Sequence, residues 1–326
     1  MEKIQIAGLV SVIIPAYNHE RYVRQAITSA IDQSYPEIEL IVLDDGSPDG
    51  TWAAVSEMAE ACRKRFRRFE MMRQENQGIC PTLNRLLDAV HGEYVLRLDS
   101  DDLIKPHSIE LLLNFLKVNP EYGLAVGDNE IIDENGQVVY WTRKRENTLN
   151  PVKAKYQTFG DFLRHLRLDM DFNSDQFGDY YKFIVGNYMP NGYLVRRSIM
   201  EQIRYTPEAP QEDHYLMLQV AKLSRMKFFE EILHSYRWHK HNNIKNRAKM
   251  WNFSRNTMRY ELNLLKRQQD QERYRRANEL LTRVNRKVKF RLGSFLEIYK
   301  ESTYFERSKY SLRLGDRNFV LKSLKP

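Results

Sequence analysis

Cysteine is nearly absent: Cys62 and Cys80 are the only two in 326 residues. Two thiols without metal-ligand spacing rule out a disulfide framework and a cysteine-ligated centre, so reduced, core-type thiols of a cytoplasmic protein are expected. Any apolar run long enough to span a bilayer is also missing, in keeping with a mean hydropathy of −0.62. The stretch Gly8 to Ala16 could pass for a leader, but it contains Pro15, runs into Tyr17-Asn18 and is preceded by Glu2 as well as Lys3. It reads as a first strand rather than a signal peptide. No internal repeat is present. What the chain does have is 42% hydrophobic and 12% aromatic residues, enough for a packed core. Single cores stop growing near roughly 250–300 residues, so one large domain with an appendage is expected.

The charge is unevenly placed. Of a net +8, residues 251–326 alone contribute 19 Lys/Arg against 8 Asp/Glu. Nucleic acid, an anionic membrane and an acidic protein are the partners such a segment can take. Ala277, Leu280, Leu281, Val284 and Val288 form a helical stripe among Arg273, Arg275, Arg276, Arg283, Arg286, Lys287, Lys289 and Arg291, which suits either a helix packed on the domain or one lying on a membrane. Tyr299, Tyr304, Phe305 and Tyr310 could stack bases but equally suit a lipid interface. Each Lys or Arg near an anionic leaflet contributes about 1 kcal/mol. The expectation is peripheral attachment to an anionic membrane through this segment, with no nucleic acid.

Further upstream, strand-like and helical patterns alternate, the mark of an α/β protein with a mostly parallel sheet. Strands are expected over Leu9 to Ile14, Ile38 to Leu43, Phe69 to Met72 and Tyr94 to Leu98. Helices are expected over Glu20 to Gln33, Thr51 to Arg63, Ile79 to Val90 and from Pro106 to Val118. Polar clusters follow three of the strands, where ligands gather in open parallel sheets. The most informative is Glu93-Tyr-Val-Leu-Arg-Leu-Asp-Ser-Asp-Asp102, whose apolar face stops at Asp99, Asp101 and Asp102. Oxygen ligands so placed suit Mg²⁺ or Mn²⁺ carrying a diphosphate, although acidic turns also occur for their hydrogen bonds alone. Between Gly123 and Tyr205 the signals are mixed and no strand is assigned. Glu212 and Asp213 open a further helix, where acids are favoured by the macrodipole whatever else they do.

With those residues in place, the chain resembles the family 2 glycosyltransferases, inverting nucleotide-sugar enzymes of the GT-A fold. The likeness rests on Val12-Ile-Ile-Pro-Ala-Tyr-Asn18, Leu43-Asp-Asp-Gly-Ser47, Asn76-Gln-Gly78, Leu98-Asp-Ser-Asp-Asp102, Glu212-Asp213 and Tyr236-Arg-Trp-His239 with Asn242, in the family's order across about residues 9 to 245. It implies a Rossmann-like, mostly parallel sheet flanked by helices, with a catalytic domain over 1–245 and a basic, mainly helical extension over 246–326. It also implies that Pro15, Ala16, Tyr17 and Asn18 wall the nucleotide, that Asp45 hydrogen-bonds the base with Asp44 close by, and that Asn76, Gly78 and Ser100 belong to the donor site. Asp99 and Asp101 correspond to the metal motif, for Mn²⁺ or Mg²⁺, and Asp102 orients water or binds backbone. Asp213 matches the catalytic base, supported by Glu212. His239 lies in a loop that closes over the diphosphate or the acceptor. Asn187 to Gly192 and Arg196-Arg197 stand where the family shapes its sugar pocket. One departure is Leu83-Asn84 with Pro81 nearby, where the family often carries an Arg-Asn pair, so a cation for phosphate is missing there.

The function so implied is metal-dependent, inverting transfer of a hexosyl or N-acetylhexosaminyl group. The donor is a UDP-sugar and the acceptor a hydroxyl of a glycan or lipid-linked molecule, in building polysaccharide, O-antigen, lipopolysaccharide or capsule at the inner membrane face. Two alternatives stay open. A sugar-nucleotide pyrophosphorylase needs a glycine-rich loop with a basic residue after its first strand, and this chain has Pro15-Ala-Tyr-Asn-His-Glu20. A non-catalytic nucleotide-binding scaffold at the membrane would not need Asp99, Asp101 and Asp213 together.

Overall fold

The computed structural model describes residues 5–240 and 242–283. The long strand β1 (Ile6–Ala16) is buried from Leu9 onward because it runs through the middle of the sheet. After it, Asn18 adopts a left-handed conformation (φ 57°), and the chain turns before α1 (Val23–Ile31), which therefore starts three residues later than its apolar spacing predicts. Its Val23, Ala26, Ile27 and Ala30 recur every three or four residues and all are buried. β2 (Ile38–Asp44) is buried throughout, as a strand covered on both faces must be. The single helix expected over 51–63 is two, α2 (Thr51–Glu57) and α3 (Ala59–Arg65), broken at Met58.

β3 (Arg68–Arg73) leads to α4 (Ile79–Ala89). That helix takes Pro81 in its first turn, where a missing N–H leaves no intrahelical bond unmade. β4 (Gly92–Arg97), the short β5 (Leu103–Ile104) and α5 (Ser108–Val118) follow. The stretch without sequence assignment contains β6 (Tyr122–Ile132), β7 (Val138–Trp141), β8 (Asn147–Thr148), α6 (Phe159–Leu166), α7 (Tyr180–Phe183), β9 (Leu194–Arg196) and α8 (Arg197–Met200). The chain then forms α9 (Glu212–Leu223), β10 (Arg225–Arg237) and α10 (Arg247–Arg267), and is helical again over 271–283.

The strand order is β3-β2-β1-β4-β9-β6-β10-β5, with β7 on β6 and β8 on β7. β1 pairs in parallel with β2 on one side and β4 on the other, so the order reverses at β1. A crevice therefore opens at the carboxyl ends of β1 and β4, the place where such sheets bind ligands. β6 and β10 are also parallel, while β9 is antiparallel to both β4 and β6. One apolar cluster fills the face under α4 and α9, and another the face under α1 and α5.

α10 and the helical residues beyond it join the first cluster, with Leu265 and Ala277 wholly buried and Leu280 and Leu281 packed beside them. The stripe residues Val284 and Val288, and the aromatic residues from Tyr299 to Tyr310, lie outside the described residues. Among the described residues no helix is long and apolar enough to cross a membrane.

Candidate active site

At the end of β2 the chain closes a tight turn. Gly46 sits at φ 71°, and a Cβ there would come within 2.7 Å of Asn76 N, so only glycine fits. Asp45 is buried, and its carboxylate accepts hydrogen bonds from Gln74 Nε2 (2.8 Å), Gln77 N (2.9 Å) and Gly78 N (2.8 Å). Asn76 Nδ2 donates to the Asp45 carbonyl at 3.0 Å. Asp44, fully buried, accepts from Ser47 N and Ser47 Oγ and pairs with Arg73, whose Nε lies 2.9 Å away. These bonds bind the carboxyl ends of β2 and β3 to the loop before α4. A cleft of about 550 Å³ opens here, lined by Gly46, Arg73, Gln74, Glu75 and Asn76. From the neighbouring strand, Ala16 O accepts from Asp45 N at 2.9 Å, Asn18 N donates to Ser47 Oγ, and Tyr17 stands 44% exposed at the rim.

A second cluster lies where β1, β4 and β10 end. Asp101 Oδ2 is 3.0 Å from His239 Nε2 and 3.8 Å from His19 Nε2. His19 Nδ1 is fixed by Ser100 Oγ at 2.7 Å, which leaves its other nitrogen turned to the carboxylate. One ligand atom from each of His19, Asp101 and His239 lies within 4.8 Å of the other two. Burial works against the Asp101 charge, but the hydrogen bond from His239 and the two imidazoles outweigh it and lower its pKa. Two nitrogens and a carboxylate oxygen from three chain segments fit a divalent transition metal, with further positions open to a ligand. A second hydrogen bond on the far ring nitrogen, here from Nδ1 of half-buried His19 to Ser100, fixes the orientation of the imidazole as outer partners do for metal-binding histidines.

The remaining aspartates of this strand end face elsewhere. Asp99 Oδ1 accepts from Arg97 Nε at 2.8 Å, and Asn191 Nδ2 lies 3.4 Å from its other oxygen. Asp102, almost wholly buried, accepts from Arg237 N (2.8 Å) and Asn191 Nδ2 (3.0 Å) and contacts His234 Nε2 at 3.0 Å. It fastens β10 to the loop after β4.

Arg97 carries the connection on to α9, its Nη2 donating to Glu212 Oε1 at 3.1 Å. Asp213 follows in the first turn of the helix, accepting from Asn187 Nδ2 at 2.6 Å and from His214 N at 2.7 Å. Burial raises both carboxyls, with Arg97 opposing, and Glu212 beside Asp213 is pushed up to about 7. Arg97 Nη1 and Tyr193 Oη are buried nearby without a protein partner. Behind them, Gln211 N donates to Thr257 Oγ1 of α10 at 3.0 Å, so the last described helices hold the start of α9 in place.

Residues 11–174 match the family described as glycosyl transferase family 2. The chain belongs to that family. An uncharacterised glycosyltransferase of Haemophilus influenzae is 29% identical over 235 residues, 71% of this chain and 66% of that one. Among solved structures, residues 1–349 of S. aureus TarS in complex with UDP-GlcNAc share the fold at a TM-score of 0.60 and 17% identity, covering 96% of this chain and 80% of that one. A mannosyltransferase of Pyrobaculum calidifontis in complex with GDP-Man and Mn²⁺ gives 0.55 and 16%, covering 97% and 86%. The chain spans between 19% and 66% of the length of the first curated relatives it matches.

In this family 2 chain the motif residues meet on one rim in three groups. Asp44, Asp45, Asn76 and Gly78 gather with the β1 end at the first cleft, Ser100, Asp101 and His239 at the histidine cluster, and Asp99, Glu212 and Asp213 around Arg97. Asp99 and Asp101 thus have different partners. Sequence reading gave no role to His19, Arg73 or Arg97, and it placed Asn187 to Gly192 at the sugar pocket without assigning individual contacts, whereas Asn187 holds Asp213 and Asn191 holds Asp102. His19 directly follows the quoted Pro15-to-Asn18 motif, and Arg97 interrupts an apolar strand, a local irregularity that could have drawn attention to it. Arg73 lines the first cleft while paired with Asp44, and so places a cation there, whereas Leu83-Asn84 supplies none.

Proposed function

We propose that this chain is an inverting, metal-dependent glycosyltransferase that moves a hexosyl or N-acetylhexosaminyl group from a UDP-sugar to a hydroxyl of a glycan or lipid-linked acceptor. The observation that carries this is the pairing, on one rim, of the His19–Asp101–His239 cluster with the carboxylates that open α9. The nucleoside belongs in the cleft beside Gly46 and Asn76, with Tyr17 offering a ring face to the base. Asp45 already accepts three hydrogen bonds, which leaves about one of its four acceptor positions for an N–H of the base. Uracil supplies such an N–H. The fold neighbours that hold UDP-GlcNAc and GDP-Man put nucleotide sugars of both kinds within reach of this architecture.

Asp101, His19 and His239 would hold the cation, and two imidazoles favour Mn²⁺ over the strictly oxygen-seeking Mg²⁺. Bound there, the cation offsets the diphosphate charge as the glycosidic bond breaks. Asp213 acts on the acceptor side. Its carboxylate, oriented by Asn187, accepts the proton of the attacking hydroxyl, a contribution of about 10²–10⁴-fold. Inversion follows from attack opposite the leaving group. Arg97 holds Glu212 and Asp99 in position through its hydrogen bonds, and with Tyr193 it offers unpaired polar atoms to sugar hydroxyls. The reaction suits assembly of surface polysaccharide, with the basic extension resting on the anionic inner face of the membrane.

The test is a panel of nucleotide sugars incubated with purified protein, Mn²⁺ and candidate acceptors, followed by nucleoside diphosphate release. Release from one UDP-sugar, lost in Asp101→Ala and Asp213→Asn, supports the reading. Binding of UDP without turnover of any donor and acceptor pair would point to a scaffold instead.

A further inference from the structure

Segment 143–155 includes β8 and the 3₁₀ turn Pro151–Lys153 and contains none of the motif residues. Leu149 is 61% exposed and Val152 is 91% exposed, among the most exposed large apolar residues of the described chain. Neither is on a loose loop. Asn150 caps the turn, its Oδ1 accepting from Val152 N at 2.9 Å, and Lys153 N donates to Asn150 O at 3.1 Å. The base of the segment is tied by Trp141 N to Tyr156 O at 2.9 Å and by Tyr156 N to Trp141 O at 3.0 Å, with both rings buried. Arg145 lies over Phe162 and Trp238, 5.1 and 5.3 Å from their centroids. A rigid aromatic footing therefore holds two apolar side chains out in solvent.

Within the segment cations prevail. Between residues 143 and 155 there are Arg143, Lys144, Arg145, Lys153 and Lys155 against Glu146 alone. We propose that this segment is a docking face for an anionic lipid surface, with Leu149 and Val152 entering the acyl boundary and the cations meeting the headgroups. Single apolar side chains in a segment that also exposes Arg143, Lys144, Lys153 and Lys155 suit an anionic lipid interface, where a protein partner would call for a contiguous apolar patch. The same segment lines a cleft of about 580 Å³ through Lys144, Arg145, Glu146 and Asn147, with Asp133, Glu134 and His239 of the histidine cluster also in its lining. Docking by this face would set that cleft against the headgroups. The surface is carried by residues 143–155, and its test needs no turnover, so it stands or falls independently of the transferase reading.

The experiment uses the full chain and vesicles of phosphatidylcholine, with and without an equal part of phosphatidylglycerol. Val152→Cys is labelled with an environment-sensitive fluorophore. Labelling is selective because burial pushes the Cys62 thiol up to about 11 and Cys80 up to about 12. A blue shift with the anionic vesicles only, and a partition constant lowered roughly tenfold or more in Leu149→Asp/Val152→Asp, is the expected result. Thermal unfolding of that variant should match the parent chain. Co-sedimentation without a shift at position 152, an unaltered partition in the double variant, or no vesicle binding at all would each overturn the proposal.

Discussion

Glu212 and Asp213 occupy consecutive positions at the start of α9, and their titration belongs to the pair. With Glu212 raised from 4.5 to about 7 by burial and its neighbour, the pair holds a proton below that pH and the base is compromised. Turnover should therefore rise with pH through about 7 and then level off, and Glu212→Gln should move the limb to lower pH. Stability carries the opposite sign. The folded state keeps a proton that the unfolded chain releases near 4.5, so stability declines as pH rises from there to about 7, by something on the order of 1–3 kcal/mol. Urea unfolding at either end of that window should show the decline in the parent chain and a flatter profile in Glu212→Gln. At the histidine cluster, His19→Ala should weaken Mn²⁺ binding by roughly tenfold or more, read by titration calorimetry without substrate. Unchanged affinity would leave the cation to Asp101 and His239. The aspartates after β4 were legible because three acids crowd four positions of sequence. His19 and Arg97 were not, because they acquire partners 82 and 115 residues away only when β1, β4 and α9 are assembled.

Elements were legible where periodicity was strong and local. The alternation from β1 to α5 follows directly from runs such as Ile38 to Leu43 and the spacing in α1. It fails in 123–205, where short strands and four-residue helices are fixed by tertiary pairing. β9, only three residues long, is held between β4 and β6. β10 escaped for another reason: Phe229, Glu230, Glu231 and Ile232 break the two-residue alternation at a register shift against β6. The attachment of α10 to α9 rests on a buried set that no sequence pattern exposes. Glu261 is fully buried and contacts Tyr180 Oη at 2.7 Å, Gln219 Nε2 at 2.8 Å and Lys222 Nζ at 2.9 Å. Glu261→Ala leaves the Lys222 ammonium buried without its carboxylate, and the expected loss is about 3–5 kcal/mol in denaturant unfolding. A loss below the range of a surface pair would mean that α10 is not needed to hold α9.

At the scale of the molecule, the last described helices are part of the catalytic body as well as the start of the basic extension. Ending the chain at residue 245 should expose the apolar face that Leu265 and Ala277 cover, remove the Thr257 contact to Gln211, and yield a destabilised, aggregation-prone protein. The sheet sets the three groups apart: its order reverses at β1, the cleft beside Gly46 lies toward β2 and β3, the histidine cluster joins the ends of β1, β4 and β10, and α9 brings the carboxylate pair.

The claim that cation and base are separate parts of one site is tested most directly in Asp213→Asn, by measuring UDP-sugar binding and turnover side by side in the presence of Mn²⁺. The account predicts binding unchanged and turnover reduced by about 10²–10⁴-fold. Retained turnover, or loss of binding and turnover together, would contradict it.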